Sequence, residues 1–118
     1  MLGLLHDLVE KVNERGHLVS LLQNARLSIN FHTEDETGIL TIENGRLNFG
    51  ESRETMPDVF ISGNKSNIAS LLLGKEKLRR ASENNVLQLK ATYRQALFLE
   101  SLLLLSNTNL KEETEISK

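Results

Sequence analysis

The sequence of 118 residues has no cysteine and no tryptophan, and it has one proline and five aromatic residues. Without cysteine it can form no disulfide and no thiolate metal site, which is typical of proteins from reducing compartments. Its longest apolar run is four residues, far below the ~20 that a transmembrane helix needs. The N-terminal residues have no basic opening and carry a charge at Asp7, unlike a secretory signal. We therefore expect a cytoplasmic protein.

The length and composition fit one globular domain. A chain of this size with 39% hydrophobic residues can bury roughly two thirds of its unfolded surface without covalent cross-links. The net charge of −2 hides an uneven distribution, because the segment from Lys65 to Arg94 has seven basic and two acidic residues. That segment carries +5 and the remainder −7. Since the acidic remainder would repel phosphate, we expect no nucleic-acid partner.

The residues that could support catalysis or metal binding do not form a recognisable pattern. His6, His17 and His32 lack metal-ligand spacing, and the acidic run 34–36 lacks the glycine and the spacing of a calcium loop. The sequence has no glycine-rich phosphate loop and no serine nucleophile motif. We expect ordinary surface or boundary histidines, a solvated acidic turn, no metal, no cofactor and no catalytic residue. The protein is therefore predicted not to be an enzyme.

The apolar periodicity predicts an α+β domain. A helical period marks residues 2–14 and a shorter piece around 18–22. The period then changes to two in residues 26–32, 40–43 and 46–49, which predicts three consecutive antiparallel strands, each with one wet face. An acidic loop joins the first two strands.

The dipeptide Asn44-Gly45 is a strong hairpin signal, because both residues tolerate a positive φ. A two-residue turn there places Glu43 opposite Arg46 and Leu40 opposite Phe49. Opposite charges and apolar side chains then face each other across the two strands, as cross-strand pairing requires. The hairpin register is therefore predicted residue by residue.

Residues 57–74 predict a strand, a tight turn and a capped helix. Alternation in the first half indicates a short strand that begins at the only proline, after a crossover over residues 50–56. Asn64 can cap the helix that follows, and Gly74 can end it in a left-handed conformation. A fifth strand over residues 86–91 and a final helix from Thr92 to about Leu105 complete the order, and residues 107–118 form a polar tail.

The segment from Pro57 to Gly74 resembles the sterol carrier protein family (type two), whose members are non-specific lipid-transfer domains. The resemblance rests on the Pro-Asp-Val strand, the Gly-Asn turn, the helix that ends in Leu-Leu-Leu-Gly and the basic segment after it. The element order extends it over residues 1–106, predicted as a single domain. It implies a five-stranded, mixed, mostly antiparallel sheet covered on one face by helices. Asn84 or Asn85, and Ala91 with Thr92, stand where the family usually has glycine.

The alternation of the strands places one set of apolar side chains on a common inward face of the sheet. The set consists of Leu27, Ile29, Phe31, Leu40, Ile42, Leu47, Phe49, Val59, Ile61, Leu87 and Leu89. The residues alone leave two alternatives open for the layer between this face and the helices, a dry core or a ligand cavity.

In the resembled family this layer opens into a tunnel for acyl chains or sterols. The resemblance therefore implies non-catalytic binding of a lipid or another hydrophobic ligand. The candidate lining residues are Phe31, Leu40, Ile42, Phe49, Ile61, Leu71, Leu72, Leu89, Phe98 and Leu102. The alternative is a non-enzymatic interaction or dimerisation module whose cavity is filled or vestigial.

Two surface features suggest further contacts. Four cations follow Gly74 closely, and we expect them to touch an anionic membrane or a ligand head group, with a solvated helix turn as the alternative. They are Lys75, Lys77, Arg79 and Arg80. On the last helix, Leu97 and Leu104 lie opposite a broad apolar face that includes Leu105. We expect a second subunit or a bound lipid to shelter this pair, with the tail or the first helix as alternatives.

Overall fold

A computed structural model describes residues 2–14, 16–50 and 57–107. Most of the predicted crossover and of the predicted tail therefore lies outside the described residues. The elements are α1 (Leu2–Glu14), α2 (Gly16–Leu22), β1 (Leu27–His32), β2 (Thr37–Glu43), β3 (Arg46–Phe49), β4 (Val59–Ser62), α3 (Lys65–Leu72), α4 (Leu78–Glu83), β5 (Gln88–Lys90) and α5 (Tyr93–Asn107). Among the described helices, none has the length and apolar character needed to span a bilayer.

The five strands form one sheet in the order β3-β2-β1-β4-β5. β1 is antiparallel to β2 and parallel to β4, while β2 with β3 and β4 with β5 are antiparallel pairs. The predicted α+β class and the mixed, mostly antiparallel sheet are confirmed.

The hairpin between β2 and β3 has the predicted register, from Glu43 opposite Arg46 to Leu40 opposite Phe49. Its turn residues Asn44 and Gly45 both have positive φ, at 56° and 77°. These values are those of the turn whose twist matches that of the flanking strands.

Side-chain caps begin two of the helices that cover the sheet, and the cap at Asn64 is the predicted one. Asn64 caps α3 by accepting a 2.8 Å hydrogen bond from the Asn67 backbone N–H. At the start of α5 the Gln95 backbone N–H donates to Thr92 Oγ1 (3.1 Å), and the Thr92 N–H donates to Gln95 Oε1 (2.9 Å). These reciprocal bonds are a capping box. Gly74 follows α3 with a φ of 79°.

Several element boundaries differ from those predicted. β5 is only Gln88–Lys90, because Asn85 has a positive φ of 60° and the Asn67 side chain binds the Val86 carbonyl (3.0 Å). These contacts tie the residues before Gln88 to α3 instead of the sheet. α4 begins at Leu78, after an extended Lys77 whose side chain makes no cap.

The inward sheet face forms the core with the helices. Of the eleven predicted residues, all but two are buried, and Leu89 is partly buried against the core. Phe49 is the correction, because it is 46% exposed. It is the last residue of edge strand β3, and its ring turns toward α1, where it stacks on His6 with ring centroids 6.0 Å apart.

Candidate functional site

The structure brings most of the predicted ligand-lining residues into one closely packed layer. Seven of them are at most 3% exposed, namely Phe31, Leu40, Ile42, Ile61, Leu71, Leu72 and Leu102. Leu89 and Phe98 are partly buried and pack against this layer, whereas Phe49 is outside it. In this conformation these side chains contact one another as a core.

A hollow lies where α3, α4 and α5 meet above this core, and we call it the apolar hollow. It has about 80 Å³ of free space, and it is lined by Leu71, Gly74, Glu76, Lys77, Leu78, Glu100, Leu103 and Leu104. A water molecule occupies ~30 Å³ of liquid, so the space holds only a few atoms. An acyl chain could therefore enter the apolar hollow only if the helices around it separate.

A second, larger hollow of about 280 Å³ adjoins it on the surface, and we call it the polar hollow. It is lined by Lys77, Arg79, Arg80, Glu83 and Glu100. Lys77 and Glu100 line both hollows. The structure therefore gathers three of the four predicted head-group cations at one site beside the apolar hollow. The fourth cation, Lys75, is exposed and lines neither.

An ion pair between Arg79 and Glu100 joins α4 to α5 at the boundary between the hollows. The Arg79 backbone N–H (3.0 Å) and Nε (3.3 Å) donate to Glu100 Oε1, and Arg79 Nη2 donates to Oε2 (3.2 Å). Arg79 Nη1 donates to the Tyr93 hydroxyl (3.2 Å), and the guanidinium carbon lies 5.4 Å from that ring's centroid. The Glu100 side chain is 17% exposed and that of Arg79 is 35% exposed. A fork-shaped cation and a carboxylate thus bind in the bidentate geometry.

This contact shifts both acid–base equilibria toward the charged forms. Burial raises the pKa of Glu100, but the hydrogen bonds from the Arg79 side chain and backbone outweigh it, so the net pKa is lowered. The hydrogen bonds to Glu100 raise the pKa of Arg79. The other two cations of the polar hollow, Lys77 and Arg80, form no ion pair with any residue in the described ranges.

Sequence reasoning assigned no role to Glu100. The two partners are 21 residues apart and belong to different helices. Periodicity places a residue on a helix face, but it does not identify the residue that faces it from another helix. The only signal in the sequence was the excess of basic residues around Arg79, and it identified the cations but not their acidic partner.

The acidic run and His6 both lie at the surface of the described part. Lys65 Nζ lies 3.0 Å from Asp35 Oδ2 and 3.4 Å from Glu36 Oε2, so the first residue of α3 pairs with the acidic loop. The hydrogen bond from Lys65 lowers the pKa of Asp35. His6 is exposed beside Asp7 and Glu10, and all three side chains face solvent. The side chain of His17 lies outside the described part.

A larger hollow of about 660 Å³ occupies the other face of the sheet, which sequence reasoning did not single out. Its lining is Asn30, Pro57, Asp58, Phe60, Lys90, Ala91, Thr92 and Gln95. Three of its polar side chains already have hydrogen-bond partners, because Asp58 Oδ2 accepts from the Ser28 N–H (2.9 Å) and Thr92 and Gln95 bind each other. We therefore assign the candidate site to the two smaller hollows.

The exposed leucines of α5 do not all lie where they were expected. Leu97 and Leu104 are 38% and 55% exposed, on the side away from the core, as the helical spacing predicts. Leu105 was expected on the covering face but is 38% exposed, while Leu102 and Leu103 are buried. Leu110 and Ile116, which were considered as a cover for this side, lie outside the described residues.

Comparison with known proteins finds similar three-dimensional structures. The chain matches no family model and no curated protein sequence. The ubiquinone synthesis protein UbiJ-SCP2 superimposes with a TM-score of 0.70 at 10% identity, over 86% of each chain. The sterol carrier protein domain 2 of Helicoverpa armigera gives 0.63 at 16% identity, over 86% of this chain and 84% of that one. An inverting sec-alkylsulfatase from Pseudomonas sp. gives 0.61 at 18% identity, over 77% of this chain and 14% of the enzyme.

Proposed function

We propose that this domain, which has the fold of the sterol carrier proteins, binds a single-chain lipid or a similar hydrophobic ligand without catalysis. The chain of the ligand would lie between the sheet and helices α3, α4 and α5. The observation that carries the proposal is the contact between the two hollows, because one offers leucine side chains and the next offers three cations. An amphiphile has the same division into an apolar and a polar part.

The entry route that we propose is the apolar hollow. A ligand that widened it by displacing α4 would reach Leu71 first and then the layer with Phe31, Ile61 and Leu102. Burial of each methylene contributes ~0.8 kcal/mol, so a chain of ten methylenes could supply about 8 kcal/mol against the cost of separating the helices. The head group would remain near Lys75, Lys77, Arg79 and Arg80.

Uptake of a fluorescent fatty acid tests this proposal. The probe is 11-(dansylamino)undecanoic acid, added to delipidated protein, with native mass spectrometry to detect a 1:1 adduct. Leu103→Phe places a ring in the apolar hollow and should reduce uptake several-fold. Leu105→Phe is the matched control, because Leu105 lies on the same helix, is 38% exposed and does not line the hollow.

We expect the control to bind like the native protein, and circular dichroism should show that both variants are folded. An unchanged affinity in Leu103→Phe would contradict the proposed route. A native protein that takes up no probe at any concentration would contradict the proposed function itself.

The alternative is an interaction or dimerisation module with a filled core. The observations that favour it are the closely packed core and the exposure of Leu97 and Leu104 on α5. A Leu97→Gln, Leu104→Gln variant should then lose self-association in sedimentation velocity, with its melting temperature unchanged. A large loss of melting temperature without a change in self-association or uptake would mean that the pair belongs to the core of the monomer.

A further inference from the structure

Glu100 is the acidic residue that both hollows share. Its carboxylate lies on α5 between the leucines of the apolar hollow and the cations of the polar hollow. It accepts three hydrogen bonds from Arg79, at 3.0, 3.2 and 3.3 Å, and so it occupies the side of the guanidinium fork that suits a carboxylate or a phosphate.

We infer that Glu100 is a resident substitute for the head group of the ligand and a specificity-determining residue. In the unliganded protein its carboxylate holds the position at Arg79 that an anionic head group takes when the ligand binds. This inference rests on the proposed lipid-binding function. The ligand class that it names is a single-chain amphiphile with a carboxylate or phosphate head group.

The charges around the site favour an exchange of anions there. Glu100 and Glu83 face three cations in the polar hollow, so the lining carries a net charge of +1. When an anionic head group displaces Glu100, the head group becomes the bidentate partner of Arg79. Lys77 and Arg80 line the same hollow and would attract the same negative charge. A neutral head group offers no charge to replace the carboxylate, so Arg79 would stay bound to Glu100.

The same exchange would loosen the helices around the apolar hollow. α4 is only six residues long, and Arg79 joins it to α5 by hydrogen bonds to Glu100 and Tyr93. The apolar hollow is lined by α4 through Leu78 and by α5 through Leu103. Breaking the ion pair therefore removes a polar restraint on the wall through which a chain would enter.

The test compares two probes that differ only in the head group, 11-(dansylamino)undecanoic acid and 11-(dansylamino)undecanol, on delipidated full-length protein. Glu100→Gln keeps the shape of the side chain but removes its charge and the ion pair, so it should tighten binding of the acid about three- to tenfold and binding of the alcohol by a smaller factor. Glu83→Gln is the matched control, because it removes the same charge from the polar hollow, while the carboxylate that forms the ion pair with Arg79 is that of Glu100.

A second variant keeps the inference testable if Glu100→Gln fails to fold. Arg79→Gln removes the anion partner, so the preference for the acid over the alcohol should disappear. Competition by dodecanoate and by monododecyl phosphate then identifies which of the two anionic head groups binds better.

Three results would decide the matter. A gain for the acid that exceeds the gain for the alcohol in Glu100→Gln, with little change for either probe in Glu83→Gln, supports the inference. Equal effects on both probes, or none on either, overturn it and leave the lipid-binding function in place. If the native protein binds neither probe, the proposed function fails and the inference fails with it.

Discussion

The N-terminal half of the domain and its C-terminal helices are held together in different ways. The strands β1, β2 and β3 pair along their whole length, and their inward side chains pack beneath α1 and α2. In contrast, the short helix α4 packs on the core through Leu78 and Ala81, and its ion pair with α5 lies beside both hollows of the candidate site. Elements with few polar restraints open at lower free energy than paired strands. We propose that the paired strands form a fixed support and that the C-terminal helices separate to admit the ligand.

The largest expected effect comes from breaking the stable half. Ile42→Asp places an unpaired carboxylate in the buried layer, where Ile42 is 1% exposed, and should cost several kcal/mol and unfold the domain. Thr41→Asp is the control, one residue away on the outer face of the same strand. Circular dichroism and thermal melting measure both. A native melting temperature in Ile42→Asp would mean that the inward face is misassigned.

A smaller loss of stability is expected when edge strand β3 loses its hydrogen bonds to α1. Asn13 Nδ2 donates to the Leu47 carbonyl (2.8 Å), and the Leu47 N–H donates to Asn13 Oδ1 (3.0 Å). The amide thus pairs with edge strand β3 as another strand would. Asn13→Ala should cost about 1–3 kcal/mol and promote aggregation, since it leaves both Leu47 groups unpaired.

Asn48→Ala is the control for this variant, because Asn48 is exposed on the same strand and faces away from the core. Urea unfolding and light scattering measure the two effects. Equal stability and equal scattering for Asn13→Ala and Asn48→Ala would show that the Asn13 contact does not protect the edge.

The next smaller effect is a pH dependence of the melting temperature, caused by the Glu100 carboxylate in the C-terminal helices. The pKa of Glu100 is lowered from its ordinary value of 4.5 in the folded state, so its charged form stabilises the fold above that pH. This contribution is lost as the pH falls below 4.5 and through the lower folded-state value. The melting temperature of the native protein should exceed that of Glu100→Gln at pH 7 and approach it below pH 4. A difference that does not depend on pH would contradict the role assigned to this charge.

The smallest expected effect concerns the exposed cations. We predict weak binding to anionic vesicles through Lys75, Lys77 and Arg80, with each charge contributing at most ~1 kcal/mol and the binding lost at high salt. A Lys75→Gln, Lys77→Gln variant should co-sediment less with vesicles that contain phosphatidylserine. Lys90→Gln is the control, because Lys90 lies on the other face of the sheet. Equal binding to neutral vesicles would exclude this contact.

The sheet could be predicted from the sequence because its signals are local. Asn44-Gly45 set the turn, and the alternation around it set the register of β2 and β3. The caps at Asn64 and Thr92 are likewise short-range patterns, each completed within three residues. Phe49 departs from the predicted inward face because β3 is an edge strand and ends at that residue. Its ring can therefore turn out of the core and stack on His6.

The candidate site could be predicted only in part. The cations after Gly74 were visible in the sequence, but their surroundings were not. Arg79 is bound by a carboxylate on another helix, whereas Arg80 next to it forms no such pair within the described residues. Which side chains meet across α4 and α5 depends on how the helices pack on the sheet, and helical periodicity does not specify that packing.

Hydrogen exchange with and without dodecanoate tests the central claim most directly, because it reports on both halves of the domain in one measurement. We predict that saturating dodecanoate changes the exchange of backbone amides in peptides that cover residues 71–83 and 96–107. Peptides that cover the hairpin, residues 37–49, should exchange as before. A change confined to the hairpin, or no change in either half, would contradict the claim that the C-terminal helices form the ligand site.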